Sequence, residues 1–182
     1  MADEAGFLMN PSVKRTWALK AQTPVVPYRN KRQKKVSVLG AVVLHAAGGQ
    51  IDLVCDFHPD SYVRSGQAAA FVHRLLAEYP DRNIDLVWDN LNAHKSKFVK
   101  ELLIDHPRLK FHYLPPYAPD LNAAEGVWCQ AKHHRMANHS IDTLDLLLSE
   151  AQRHLRDIAK EQPLLQGCFK GAGLALYQPS AQ

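Results

Sequence analysis

Three carboxylates in this chain stand where they could share one metal-dependent reaction. Asp3 opens the sequence, Asp89 follows the apolar run Ile84-Asp85-Leu86-Val87-Trp88, and Glu125 follows Leu121-Asn122-Ala123-Ala124. Acids gathered in one cleft repel each other unless protons or cations neutralise them. Hard oxygen donors of this kind suit Mg²⁺ or Mn²⁺, which keep positions open for water and phosphate. Two such ions roughly 3.5–4 Å apart can activate an attacking oxygen and stabilise a leaving one during phosphodiester cleavage. Each acid also has a local reading. Asp89 before Asn90 suits a strand-end turn, and Glu125 suits the first turn of a helix, where the dipole favours negative charge.

The elements that must position these acids are legible from periodicity. The first has room for only a short strand carrying Asp3. Val36 to Leu44 is β-branched and apolar, which predicts a buried strand, and Gln50 to Phe57 predicts its hairpin partner across the turn Ala47-Gly48-Gly49. Phe71, Val72, Leu75, Leu76 and Tyr79 recur at helical spacing and stop at Pro80. Strands are expected at Ile84–Trp88 and Leu109–Tyr113, with a helix at Lys97–Asp105 between them. After the Pro-rich turn 114–120, a helix is expected from about Ala123 to Ala137, and an amphipathic one from about Ile141 to Glu161. No element is assigned from Gly167 onward. This order predicts a mixed sheet with helices packed on it. Adjacent first and fourth strands would point Asp3 and Asp89 into one cleft.

Composition narrows the setting. The 182 residues suit one domain, and no apolar run approaches the roughly 20 residues that span a bilayer. With three widely spaced cysteines and no signal-peptide pattern, a cytoplasmic protein with reduced thiols is expected. Residues 1–50 carry eight Lys/Arg against two acids, whereas the remaining 132 carry 14 against 16. Within that basic front, Arg29, Lys31, Arg32, Lys34 and Lys35 could track a DNA backbone or form a solvated loop.

Two blocks carry a resemblance. Trp88-Asp89-Asn90-Leu91-Asn92-Ala93-His94-Lys95 and the stretch from Tyr113-Leu114-Pro115-Pro116-Tyr117-Ala118-Pro119-Asp120 through Leu121-Asn122-Ala123-Ala124-Glu125 to Trp128 closely resemble the DDE endonuclease domain of insertion-sequence transposases in the Tc/mariner superfamily. There a DN…H block and an LPPYSPDLNPIE…W block carry the second and third catalytic acids, and the 35 residues between Asp89 and Glu125 are close to the family's spacing. Asp3-Glu4-Ala5-Gly6-Phe7, with Arg15-Thr16-Trp17 and Gln22-Thr23-Pro24, is similar to the first-acid block.

The resemblance implies an α/β, ribonuclease H-like mixed five-stranded sheet flanked by helices. It implies Asp3, Asp89 and Glu125 as catalytic ligands of Mg²⁺ or Mn²⁺, as a pair of ions. The partner it implies is double-stranded DNA, both transposon ends and target, with a homodimer left open and no membrane. Cleavage at the ends would be followed by attack of the freed 3′-hydroxyl on target DNA. Asn90 and His94 join the DNA-binding candidates, although His94 could equally orient the site, cap a helix or lie on the surface. Three departures from the family are read: the sequence starts at the first acid, where family members carry an N-terminal helix-turn-helix region, the apolar residues expected before that acid are not seen, and Ala123-Ala124 stands for Pro-Ile. The expectation is thus a single catalytic domain over 1–182, with 163–182 a C-terminal tail.

Neighbouring residues have plainer readings. Glu4, projecting opposite to Asp3 in a strand, reads as structural. Asp120 reads as a turn or cap residue and Trp128 as packing the helix onto the sheet. Cys129, His133 and His134 lack a second ligand pair at zinc spacing. The competing functions are an active DDE recombinase domain and a catalytically idle fragment that binds DNA or transposase subunits. A general nuclease on RNA–DNA hybrids fits the Pro-turn block poorly.

Overall fold

The run Val36-Ser37-Val38-Leu39-Gly40-Ala41-Val42 is buried throughout because both faces of its strand are covered. A computed structural model describes residues 1–10, 12–26, 34–45, 49–90 and 92–174. Its strands are β1 (Ala2–Leu8), β2 (Lys35–Leu44), β3 (Ile51–Pro59), β4 (Ile84–Trp88) and β5 (Leu109–Tyr113). Its helices are α1 (Ser65–Glu78), α2 (Lys97–Asp105), α3 (Ala123–Cys129), α4 (Leu144–Lys160) and α5 (Gln162–Gly171). Arg29, Lys31, Arg32, the Ala47-Gly48 part of the hairpin turn and the tail from 175 lie outside the described residues. Among the described residues no helix is long and apolar enough to cross a membrane.

Successive strand residues face opposite sides of a sheet, and β2 sorts its side chains accordingly. Val36, Val38 and Val42 join one core with Ala5 and Phe7 of β1, Trp128 of α3, Leu147 and Leu155 of α4 and Leu165 of α5. Leu39 and Ala41 join a second core with Ala2, Phe71 and Leu75 of α1, Trp88 of β4 and Leu102 of α2. The helices flank the sheet on both sides, as expected.

The expected single sheet of five strands is not confirmed among the described residues. β1, β2 and β3 make an antiparallel sheet in that order, and β4 pairs with β5 in a separate parallel sheet. β1 lies against β4, but among the described residues no strand ladder joins them. β2 stays paired with β3 as far as Leu44↔Ile51, whereas β1 pairs with β2 only from Ala2↔Ala41 onward. Beyond Ala41, a cavity of about 880 Å³ lined by Met1, Val43, Leu44, Ile84, Leu86 and Val87 lies between the two sheets.

Two helical expectations also change. α3 is shorter than the expected 123–137 helix and continues as a π-helical segment, Gln130–Arg135. The stretch expected as a tail contains α5. Its buried Leu165 and Phe169 sit at helical spacing, and the Gln162 side chain both accepts from and donates to the backbone of Ile51, at 3.0 and 2.7 Å. That amide pairing ties the start of α5 to the start of β3.

One glycine fixes how closely α3 approaches the sheet. A Cβ on Gly40 would stand 2.5 Å from Cη2 of Trp128, well inside contact distance. Overpacking a filled core costs about 1–3 kcal/mol. Gly40→Ala should therefore lower unfolding stability by about that amount in urea titrations; an unchanged midpoint would mean that Trp128 yields without cost.

Candidate active site

β1 carries two acids in succession and its pleat sends them apart. Asp3 shares a face with Ala5 and Phe7, and its carboxylate is buried at 7% exposure. Trp128 Nε1 donates to Asp3 Oδ2 at 3.0 Å. The tryptophan therefore does more than the packing its sequence position suggested. Burial first, and then the charge of Glu125, push the Asp3 carboxyl up to about 7, against the pull of the Glu4 backbone N–H and the Trp128 N–H.

Glu125 reaches this neighbourhood from the first turn of α3. Asn122, rather than Asp120, caps that helix: its side-chain oxygen accepts from the Ala124 N–H at 3.2 Å. Asp120 sits in the preceding one-turn 3₁₀ segment Pro119–Leu121. The Pro-rich turn is tight, with Tyr117 at φ +57°. Lys132, on the π-helical segment, feels both Glu125 and Asp3, while burial holds its ammonium below the ordinary lysine value. Its Nζ lies 5.7 Å from the Phe7 ring centroid, over the face of β1 that bears Asp3. Sequence reasoning missed Lys132, although seven residues after Glu125 is two helical turns along the same face.

Asp89 follows the last residue of β4 and is 36% exposed at its side chain. Its Oδ1 lies 2.6 Å from Nδ1 of His94, and the other ring nitrogen, Nε2, lies 2.7 Å from Glu4 Oε1. The ring stacks on Trp88 at 3.8 Å between centroids and is fully buried. Burial opposes a charge on His94, but Glu4 and Asp89 outweigh it and raise the imidazole above its ordinary value. His94 is thereby removed from the residues expected to touch DNA. Asn90 donates its side-chain amide to the Leu114 carbonyl, tying the end of β4 to the turn after β5.

The structure thus brings Asp3 and Glu125 together and turns Asp89 onto His94. Among the described residues no three ligand-type side chains converge into a ready-made metal cage. His133, one of the weighed zinc candidates, instead pairs with Ser12 at 2.7 Å. Of the basic run, Lys34 lies 3.9 Å from Asp60, and Lys35 sits 3.1 Å over the Tyr62 ring. Lys35 is five residues along β2 from Gly40, the partner of Asp3, or about 17 Å at strand spacing.

The raised Asp3 carboxyl has a definite pH signature. Its folded value, about 7, exceeds its unfolded value of 3.8, so the folded state binds more protons between them and loses stability as pH rises through that window. Asp3→Asn removes this penalty. Without divalent metal, the two proteins should match below about pH 4 and diverge up to pH 7, with the variant more stable above it by an amount of order 4 kcal/mol. The Met1 amine, which burial lowers to about 5, titrates with the opposite sign but in both proteins, so it cancels. Urea melts across this range check it; parallel pH profiles would show that Asp3 titrates normally.

Known proteins share this architecture. The chain is 29% identical over 164 residues to the "Insertion element IS630 uncharacterized 39 kDa protein" of Shigella sonnei, covering 86% of this chain and 44% of that protein. It therefore spans less than half the length of that curated relative. Among solved structures, a pre-cleavage Mos1 transpososome superposes with a TM-score of 0.58 at 18% identity, over 97% of this chain and 56% of the other. A Mos1 transposase paired-end complex with the left transposon end gives 0.56 at 17% identity, over 94% and 54%. A Mos1 mariner paired-end complex with Mn gives 0.53 at 16% identity, over 97% and 56%. At these identities the structural likeness is one of fold. Residues 1–148 match the family described as DDE superfamily endonuclease, and the chain belongs to that family.

Proposed function

We propose that this chain is the catalytic domain of a transposase that cuts DNA phosphodiesters at transposon ends and joins the freed 3′-hydroxyl to target DNA. The observation that carries the reading is the buried Asp3 carboxylate held beside Glu125, with Asp89 at the end of the neighbouring β4, in a chain of the DDE endonuclease family. Two carboxylates pushed into each other's field, one of them buried, form a donor set that a hard divalent cation relieves. Asp3, Asp89 and Glu125 would hold Mg²⁺ or Mn²⁺, as a pair of ions, and one similar structure is a complex with Mn. The metal supplies charge neutralisation at the phosphate and activation of the attacking oxygen.

The chain's own residues do the positioning. Trp128 holds one oxygen of Asp3, His94 holds one oxygen of Asp89, and the Asn122 cap fixes the turn that presents Glu125. Lys34 and Lys35, with Arg29, Lys31 and Arg32 in the same run, and Asn90 beside Asp89, supply the DNA-contacting set. A second reading, a non-catalytic fragment that binds DNA or transposase subunits, draws on Asp89 being engaged with His94 rather than with the other two acids.

Nicking of supercoiled plasmid in Mn²⁺ separates the two. Wild type should nick, and Asp89→Ala and Glu125→Ala should not; DNA binding without nicking by wild type would establish the second reading. In melting curves Mn²⁺ should raise the wild-type midpoint by mass action, and both variants should lose that shift. Their metal-free stabilities should differ. Glu125→Ala removes a charge that repels Asp3 and should not destabilise, whereas Asp89→Ala strips a partner from buried His94 and should cost about 1–3 kcal/mol.

The basic run has its own test. Neutralising Arg29, Lys31, Arg32, Lys34 and Lys35 together should weaken binding to any DNA sequence and flatten its salt dependence, by about 0.9 of a unit in the log–log slope per lost phosphate contact. An unchanged slope would return the run to a solvated surface.

A further inference from the structure

Cys129 and Cys168 are two thiols that the proposed chemistry does not use, and the packing of α3 on α5 sets them beside each other. Ala123, Ala124, Val127 and Trp128 bury the inward face of α3, which leaves Gly126 half-buried and Cys129 exposed on its outer side. Those two lie one turn apart, with Cα atoms about 5 Å from each other by α-helical geometry. Cys168 of α5 fills the notch at Gly126: a Cβ built there would stand 2.9 Å from its Sγ and 3.4 Å from its Cα. The Cys168 backbone thus touches α3 at the turn that ends in Cys129. Burial, and then the charge of Cys129, hold the Cys168 thiol above its ordinary value, so the two sulfurs lie in each other's field. A disulfide spans about 4.4–6.8 Å between Cα atoms, a separation of the size that this stacking provides. The third cysteine is set apart. Cys55 sits on β3 with its Sγ beside Gly40, and burial pushes its thiol up to about 12.

We propose that Cys129 and Cys168 form a modification site, a thiol pair that closes into an intramolecular disulfide when a peroxide reaches it. The exposed Cys129 reacts first. Its thiolate attacks one peroxide oxygen, the O–O bond breaks, hydroxide leaves and takes up a proton, and the sulfur keeps a hydroxyl as sulfenic acid. The Cys168 sulfur, as its thiolate, then attacks that sulfur; the S–S bond forms and the hydroxyl leaves, becoming water with the proton given up by Cys168. Two thiols and one hydrogen peroxide give one disulfide and two waters, with two electrons passing from the sulfurs to the peroxide. The bond clamps the end of α3, one turn beyond Glu125, onto α5, whether or not the acids bind a metal.

The test treats the reduced 182-residue chain with a slight excess of hydrogen peroxide, then denatures it and labels the remaining thiols with a PEG-maleimide. Wild type, Cys129→Ser and Cys168→Ser are compared. Wild type should pass from three labelled cysteines to one, with Cys55 the labelled residue. A peptide linking Cys129 to Cys168 should appear in the digest, and the protein should stay a monomer on non-reducing gels. Closing a loop of about 40 residues restricts the unfolded chain, so the thermal midpoint should rise by about 5–10 °C and fall back on adding dithiothreitol. Both serine variants should give no linked peptide and no rise.

Three results would overturn the proposal. A covalent dimer through Cys129, with Cys168 still labelled, would show that the exposed thiol meets another molecule before its neighbour. Oxidation of Cys129 to sulfinic acid beside an unchanged Cys168 would show that the second sulfur is out of reach. A bridge that includes Cys55 would place the reactive pair elsewhere. Should Cys168→Ser fold poorly, Cys129→Ser, which alters only an exposed side chain, carries the comparison alone.

Discussion

A carboxylate buried on β1 beside a second carboxylate is the constraint around which this structure is arranged. Taking a charge out of water is costly, and a like charge nearby adds to the cost. Asp3 bears both penalties, and its carboxyl is held near 7 as a result. What the fold supplies in return is partial: one N–H from Trp128, one from the backbone of Glu4, and the half-buried ammonium of Lys132. None of these satisfies the site as a divalent cation would. Perturbation of this kind gathers at functional positions because a group at ease in its apo state has little to gain from a ligand.

The same constraint explains why polar side chains carry so much of the junction between the two sheets. Strand pairing would hold β1 and β4 rigidly through backbone hydrogen bonds, and no such ladder is present among the described residues. In its place stand the shared apolar core of Ala2, Leu39, Leu86 and Trp88, and the Glu4–His94–Asp89 bridge. The apolar contacts set the strands side by side without regard to direction. In that bridge the Glu4 side is a hydrogen bond and the Asp89 side a close ion-pair contact. Asn90, donating to Leu114, closes the other side of that strand end.

Much of this was legible in the sequence, and what was not has physical reasons. β2 to β5 and four of the five helices were legible from apolar runs and helical spacing, whereas for β1 the sequence offered only room for a short strand carrying Asp3. The assembly of the strands into sheets did not follow, since pairing depends on which backbone edges find partners, and periodicity is silent on that. α5 was hidden by the glycines and alanines around it, although Leu165 and Phe169 are one helical turn apart. At the site, residue type and spacing named Asp3, Asp89 and Glu125. The roles of Glu4, His94 and Lys132 depended on which side chain faces which across elements distant in sequence, and only coordinates reveal that. His94 shows the difficulty best. Its place in a loop block leaves open whether it touches DNA, orients the site, caps a helix or lies on the surface, and the structure encloses it between two carboxylates and an indole.

Glu125 stands on a helix of only seven residues, too short to persist by its own hydrogen bonds. Its position is therefore imposed from outside. Asn122 closes its first turn, Trp128 pins it to the sheet through the space left by Gly40, and the absent side chain of Gly126 admits Cys168, whose Sγ would lie 2.9 Å from a Cβ there. α5 thus backs α3 from the side away from Asp3, and it is itself tied to β3 by Gln162. Past Cys129 the helix widens into the π-helical segment, which buries Ala131 and leaves Lys132 leaning toward the two acids. The helix that carries the third acid is accordingly built into the core, packed between the sheet and α5.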